Sequence, residues 1–422
     1  MSSMPSAPYL TAPDQPQAAP ALAFPRLPGI SNGAAARRQA RTLRAQAEAR
    51  RIRTQFKKHE WFEFVKFVAN GVSGFSCLMK LNFPKWHFWR QPQQFVFKRA
   101  VDVKTDQALK RENRALRRLR GSLHILQKFP LKKKWHFPLY SDGRPIIVTE
   151  WVPHGPLAAF RDRAIASGRS LPNRLLLRFF LCLLKFCIAM AWPPRGARGA
   201  TPRTEKVPTS PIERALQTQF RHADMHLNNI LIGALDASEH SNVPILKLID
   251  FDRAHDVSGP LGHDLGVKWN IHDIGRIMRI LIALRPGVAF GGAPVGGKDM
   301  MLRINGINRV TNTKASDLTW PNYPDLDPDL ASLVMWCMAT DEADRPTIIE
   351  LNASLTNLIA DATPDKYATY PSGGKYETDD EIKKLVQEIV LNVPAPVPDP
   401  PLTSSSAPRP RPGPFEASAS SS

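Results

Sequence analysis

One run near the middle of the chain, LLLRFFLCLLKFCIAMAW (175–192), constrains the fold most. It is apolar on nearly every helical face, so it reads as a buried helix that other elements must enclose. Arg178 and Lys185 interrupt it, and no apolar run in the chain reaches the length needed to cross a bilayer. A chain of 422 residues, 43% of them hydrophobic, can supply that enclosure as two or three domains or as one large two-lobed unit.

Charge and cysteine content narrow the setting. A formal charge of +19 raises nucleic acid, anionic membrane surfaces and acidic partners as candidates without choosing among them. The four cysteines, Cys77, Cys182, Cys187 and Cys337, include no CxxC pair, so neither a disulfide framework nor a cysteine zinc site is suggested. The first residues lack the basic-then-apolar order of a secretory signal, and an intracellular address, cytoplasmic or nuclear, is expected.

Residues 1–34, rich in Pro, Ala and Ser, predict a disordered leader. AAARRQARTLRAQAEARRIRTQFKKHE predicts a basic helical arm over 35–58, either packed lightly on the domain or contacting nucleic acid or an anionic surface. From Trp61, the runs within FEFVKFVANGVSGFSCLMKLNF, then QFVFKRAV, KKWHFPLY and PIIVTEWV, read as five strands, with one helix over LKRENRALRRLRGSLHIL. Helices are expected over 157–168, 173–192, 268–284, 327–339 and 347–361, with a polar insertion at 193–219. The tail, 364–422, holds one amphipathic segment, DDEIKKLVQEIVLNV, and is otherwise expected to be disordered.

The chemistry-bearing stretch is FRHADMHLNNILI (220–232). His222, Asp224 and His226 alternate, so on a strand they would share a face and could hold a metal; on a loop they would aim a carboxylate at a substrate hydroxyl. Asn229 leads into the apolar run ILIG, and a second apolar run ends in Asp250, so a short hairpin carries both polar residues. Phosphoryl transfer needs that set: a carboxylate near the attacking hydroxyl, oxygen ligands for Mg²⁺ and a cation on the phosphates.

From about Trp61 to Ala360 the chain resembles the eukaryotic protein kinase superfamily, in particular its divergent fungal members. HADMHLNN resembles the catalytic loop H-R-D-x-x-x-x-N, DFD at 250–252 resembles D-F-G, FVFK resembles V-A-I-K, and CMATDEADRPT resembles the late helical motif containing Arg345. The resemblance implies an α+β, bilobal fold. Its N-lobe (59–152) would have a five-stranded antiparallel sheet and one helix, its C-lobe (153–363) would be mainly helical, and its termini disordered. It implies an ATP- and Mg²⁺-dependent kinase acting on protein Ser or Thr hydroxyls. Asp224 would be the catalytic carboxylate, Lys98 the phosphate-binding lysine, Glu112 its partner, and Asn229 and Asp250 the metal ligands. Gly71 and Gly74 would lie in the phosphate-covering loop and Glu150 to Val152 along the adenine, while His226 could contact the γ-phosphate.

The sequence also departs from that pattern. GVSGFSCL puts Ser73 and Ser76 where the loop normally has glycine, which predicts weaker nucleotide binding. The stretch from Asp250 to WNIHDIG is short for an activation segment, Asn270 stands where Asp is usual, and Arg345 lacks its usual glutamate. A small-molecule kinase of the aminoglycoside or choline kinase type, or a pseudokinase scaffold binding anionic partners, remain alternatives.

Overall fold

The computed structural model describes residues 32–71, 74–83, 93–131, 137–140, 143–197, 199–236, 239–259, 264–284 and 296–392. The expected leader lies almost wholly outside these residues, as do Ser73 and the end of the tail. The chain divides into two units, Met1–Arg44 and Ala45–Ser422. The described part of the first is the beginning of helix α1 (Asn32–Phe56), which ends in the second.

In the second unit, Ala45, Ala49, Ile52 and Phe56 recur at helical spacing and are buried. They form one hydrophobic core with Phe62, Phe75, Phe95, Phe97 and Phe137. The Phe56 ring lies 5.4 Å from Phe137 and edge-on to Phe62 at 6.2 Å. The expected arm is a helix that packs more deeply than expected: its last turns are core, because four apolar residues line one stripe of an otherwise Arg-rich helix.

The core covers one face of a four-stranded antiparallel sheet, β1 (Phe62–Asn70), β2 (Phe75–Leu81), β3 (Gln93–Arg99) and β4 (Ile146–Glu150), in that order. Alternation along β3 buries Phe95, Phe97 and Arg99 on the core face and turns Val96 and Lys98 to the other. The turn from β1 to β2 closes with the Gly71 N–H donating to the Gly74 carbonyl at 2.7 Å. Gly74 has φ of 150°, and a Cβ there would sit 2.2 Å from the Arg99 carbonyl oxygen, so only glycine lets β2 begin against β3.

The sequence predicts five strands here, and the described sheet has four. The strand expected over KKWHFPLY (133–140) lies partly outside the described residues, which omit 132–136, and its described end, Pro138–Tyr140, is a 3-10 turn; just before it the chain makes a single bridge, Lys128 to Thr149, with the Phe129 N–H on the Val148 carbonyl. The helix expected over 109–126 is displaced as well. Helix α2 (Val103–Arg118) starts at a reciprocal cap between Asp102 and Thr105, and the chain turns away at Gly121, whose φ is 96°.

Helices α3 (Leu157–Ser167) and α4 (Asn173–Ala191) come next, and α4 is the enclosed helix: buried along nearly its whole length, exposed at Arg178 and half-buried at Lys185. Beyond the short α5 (Pro211–Ala215) come β5 (Phe220–Arg221), β6 (Ile230–Ile232), β7 (Leu246–Leu248) and β8 (His255–Asp256). β6 pairs with β7 and β5 with β8, so one short ribbon brackets the other in sequence.

Helix α6 (Leu265–Ala283) packs on α4, then a hairpin of β9 (Lys298–Ile304) and β10 (Ile307–Thr313) leads to α7 (Pro328–Cys337) and α8 (Ile348–Asp361). That hairpin is absent from the sequence-based expectations, although its turn is Asn305-Gly306 with φ of 50° and 80°, a strong hairpin signal.

Two regions expected to be loose are ordered. In the insertion, the Arg203 carbonyl accepts from Leu123 and Glu205 is buried. In the tail, the Tyr367 hydroxyl donates to Asp327 at 2.9 Å, and the expected amphipathic segment forms α9 (Asp379–Val386), which places Ile382, Leu385 and Val386 in the main core. Glu377 caps α4, its Oε1 accepting from the Asn173 N–H at 2.6 Å and its Oε2 from the Arg174 N–H at 3.0 Å. Tail residues up to 392 are part of the fold, because α4 needs that carboxylate and the core needs those apolar side chains.

If the end of α1 is core, Phe56→Ala should lower unfolding free energy in urea by roughly 3–5 kcal/mol. Arg53→Ala, one turn away and exposed, should stay within about 0.5 kcal/mol.

Candidate functional site

The outward face of β3 carries Lys98 to a meeting point of three elements. Its ammonium Nζ lies 2.8 Å from Glu112 Oε2 on α2 and 2.5 Å from Asp250 Oδ1 after β7. Glu112 is buried, and α2 packs against the turn Phe251–Arg253 that comes after Asp250. One ammonium faces two carboxylates, which divides them. Burial raises the Glu112 carboxyl against the pull of Lys98. Burial acts the same way on Asp250, but there the Lys98 charge and hydrogen bond outweigh it and hold the carboxylate below its usual range. For Lys98 itself burial opposes the charge, and the two carboxylates overcome it, keeping the amine protonated above the ordinary lysine range.

The second cluster is the loop after β5. The His222 ring is buried, with Nε2 at 2.9 Å from the Ile249 carbonyl and Nδ1 at 3.3 Å from the Asp224 N–H. The neutral tautomer protonated on Nε2 satisfies both contacts, and burial pushes the ring down to about 4. With both nitrogens engaged His222 cannot ligate a metal, so the expected alternative of a site at His222, Asp224 and His226 is set aside. The ring also meets Phe251 edge-on, with centroids 4.7 Å apart.

Asn270 on α6 braces the same loop, accepting from the His222 N–H at 3.1 Å and donating from Nδ2 to the Phe220 carbonyl at 2.9 Å. An amide does both, whereas a carboxylate could only accept. With His222 pinned inward, Ala223 at φ 62° turns the chain and leaves Asp224 partly exposed; Asp250 is likewise left-handed, at φ 64°. Non-glycine residues in that region are uncommon and cluster at functional sites.

Asp224, Asn229 and His226 are brought together. The Asn229 amide donates to the Asp224 carbonyl at 2.9 Å, while Asp224 Oδ1 lies 3.8 Å from His226 Nε2 and 3.5 Å from an Arg253 nitrogen. His226 accepts from the Asn228 N–H, capping the turn Leu227–Asn229. The Ile249 N–H donates to the Asn229 carbonyl at 2.9 Å, which joins this loop to the residue before Asp250.

The other expected residues have different surroundings. The Glu150 side chain is structural: Oε1 accepts from the Gln127 N–H at 2.8 Å and from Lys247 Nζ at 2.7 Å. Val152 is buried, and Gly71 and Gly74 form the β1–β2 turn, with Gly74 against Arg99. Arg345, expected to lack its usual glutamate, is buried and donates instead to the Ala339 carbonyl at 3.0 Å, with its guanidinium over the Trp269 ring at 5.3 Å.

Residues with no sequence signal of their own complete the frame. Arg111 Nε donates to the Asp252 carbonyl at 2.9 Å, Arg276 to the Met225 carbonyl at 2.8 Å, and Arg118 pairs with Asp256 at 2.6 Å. Asn270 had a signal, a polar residue on the apolar face of α6, but its partners are invisible in sequence. Comparison with protein-family models and with curated proteins finds no match to this chain.

The His222 ring makes pH a probe of this frame. Its folded value lies below that of an unfolded histidine, so its contribution is present above about pH 6.5 and lost as pH falls toward 4. Unfolding free energy should decline across that window with a limiting slope of about 1.4 kcal/mol per pH unit for this one group. His222→Asn should flatten the slope, and an identical slope would remove the ring from this role.

Proposed function

We propose that this chain is an ATP- and Mg²⁺-dependent phosphotransferase of the protein kinase type, acting on Ser or Thr hydroxyls of a protein substrate, with a bilobal organisation around the site. The observation that carries the reading is the Lys98 ammonium held between Glu112 and Asp250, partners 14 and 152 residues away. Such a cation, half-buried and oriented by carboxylates, is suited to phosphate oxygens.

The donor set fits the metal. Mg²⁺ takes hard oxygen ligands, and Asn229 Oδ1 and the Asp250 carboxylate supply them; the Asn229 amide N–H is already committed to Asp224. When bound, the ion would neutralise charge developing on the transferred phosphoryl group. Asp224, only partly buried and fixed through its backbone by His222 and Asn229, would take the proton of the acceptor hydroxyl on a carboxylate oxygen. Arg253 and His226 beside it would orient that carboxylate.

One feature favours a second reading, a small-molecule acceptor. Only residues 257–264 lie between β8 and α6, little chain from which to build a peptide-docking surface.

Purified protein given Mg·ATP should show a raised melting temperature and phosphate transfer to members of a peptide and protein panel. Asp224→Ala should cut transfer by at least about a hundredfold while leaving the melting shift, and Lys98→Met should reduce both. Transfer untouched by Asp224→Ala would remove that residue from catalysis. Transfer to metabolites alone would select the small-molecule reading, and no melting shift at millimolar Mg·ATP would select a scaffold without nucleotide chemistry.

A further inference from the structure

Three segments far apart in sequence meet beside β7. His124 lies in the loop after α2, Cys182 in the middle of α4 and His240 in the β6–β7 connection. All three are at least nine-tenths buried, and one ligand atom of each lies within 4.8 Å of the other two.

The two imidazoles are oriented from outside. The Glu205 carboxylate grips His124 twice, at 2.6 Å on Nδ1 and 2.9 Å on the backbone N–H, so Nε2 is the ring atom left to bind anything else. His240 Nδ1 lies 3.2 Å from the Val243 carbonyl, and its Nε2 is buried with no hydrogen-bond partner among the described residues. A carboxylate or carbonyl on the far ring nitrogen is the arrangement that fixes the tautomer of a metal-bound histidine. A buried polar atom without a partner is costly, and a ligand shared by the cluster would satisfy this one.

We propose that His124, Cys182 and His240 form a Zn²⁺ site, with Nε2 of each histidine and Sγ of the cysteine as ligands. Imidazole and thiolate favour Zn²⁺ over the oxygen-seeking Mg²⁺ and Ca²⁺. Ligands about 2.0–2.3 Å from a tetrahedral Zn²⁺ lie roughly 3.3–3.8 Å apart, so atoms within 4.8 Å of one another need close by no more than about 1.5 Å on binding. A cavity of about 770 Å³ that all three side chains line, together with Glu239, admits a fourth oxygen ligand from Glu239 or water. The ion would clamp the loop after α2, helix α4 and the β6–β7 connection, and so brace the ribbon next to Asp250. This inference stands whether or not the phosphotransferase reading holds.

The test uses full-length, untagged protein depleted of metal with a chelator. Titration with Zn²⁺ should reach one ion per chain and raise the melting temperature, and Co²⁺ in its place should give a thiolate-to-metal charge-transfer band. Cys182→Ser should abolish that band, His240→Ala should weaken Zn²⁺ binding at least tenfold, and Glu205→Gln should weaken it roughly 10- to 100-fold. Should Cys182→Ser fail to fold, His240→Ala in the connecting loop and the wild-type cobalt spectrum decide the matter. No uptake by folded wild-type protein, a cobalt spectrum without thiolate character, or binding unchanged by His240→Ala would each overturn the site.

Discussion

A single ammonium ties the functional region together. Lys98 is anchored in the sheet by β3, Glu112 by α2, and Asp250 by the exit of β7, so one ion triplet joins three elements. Breaking a buried pair strands a charge, which costs several kcal/mol, so the triplet specifies one alignment of α2, the sheet and the Asp250 turn. Asp250 takes a left-handed backbone in that alignment, and the next residue, Phe251, meets the His222 ring edge-on.

The same logic recurs at a smaller scale. Asn270, Glu377 and Glu150 are polar side chains set in or beside a core, and each satisfies backbone or cationic groups from a distant segment. They bind the loop after β5 to α6, the start of α4 to the tail, and β4 to the β6–β7 ribbon. Apolar contacts tolerate sliding, whereas hydrogen bonds of fixed direction do not. This division of labour leaves Asp224 partly exposed, while His222 and Asn229, which fix its backbone, are buried.

Elements with strong periodicity were legible in advance: α3, α4, α7 and α8 lie within a residue or two of their expected bounds, and β3 carries Lys98 on the expected strand. Elements whose identity depends on partners were not. The end of the strand expected over 133–140 is a 3-10 turn, the tail around Glu377 is ordered, and the last turns of α1 are core. In each case the local signal was polar or weak, and burial against something remote decided the outcome.

Residue types alone determined that this chain would bury one long helix, present a lysine on a strand, and set Asp224, Asn229 and Asp250 around a short hairpin. Only the tertiary structure decided that Lys98 bonds Asp250 across 152 residues, that His222 is a brace rather than a ligand, and that His124, Cys182 and His240 share one buried point. Periodicity and turn chemistry are local properties that a sequence displays directly. Convergence of single side chains from distant segments depends on how whole elements pack, and no spacing within one segment encodes it.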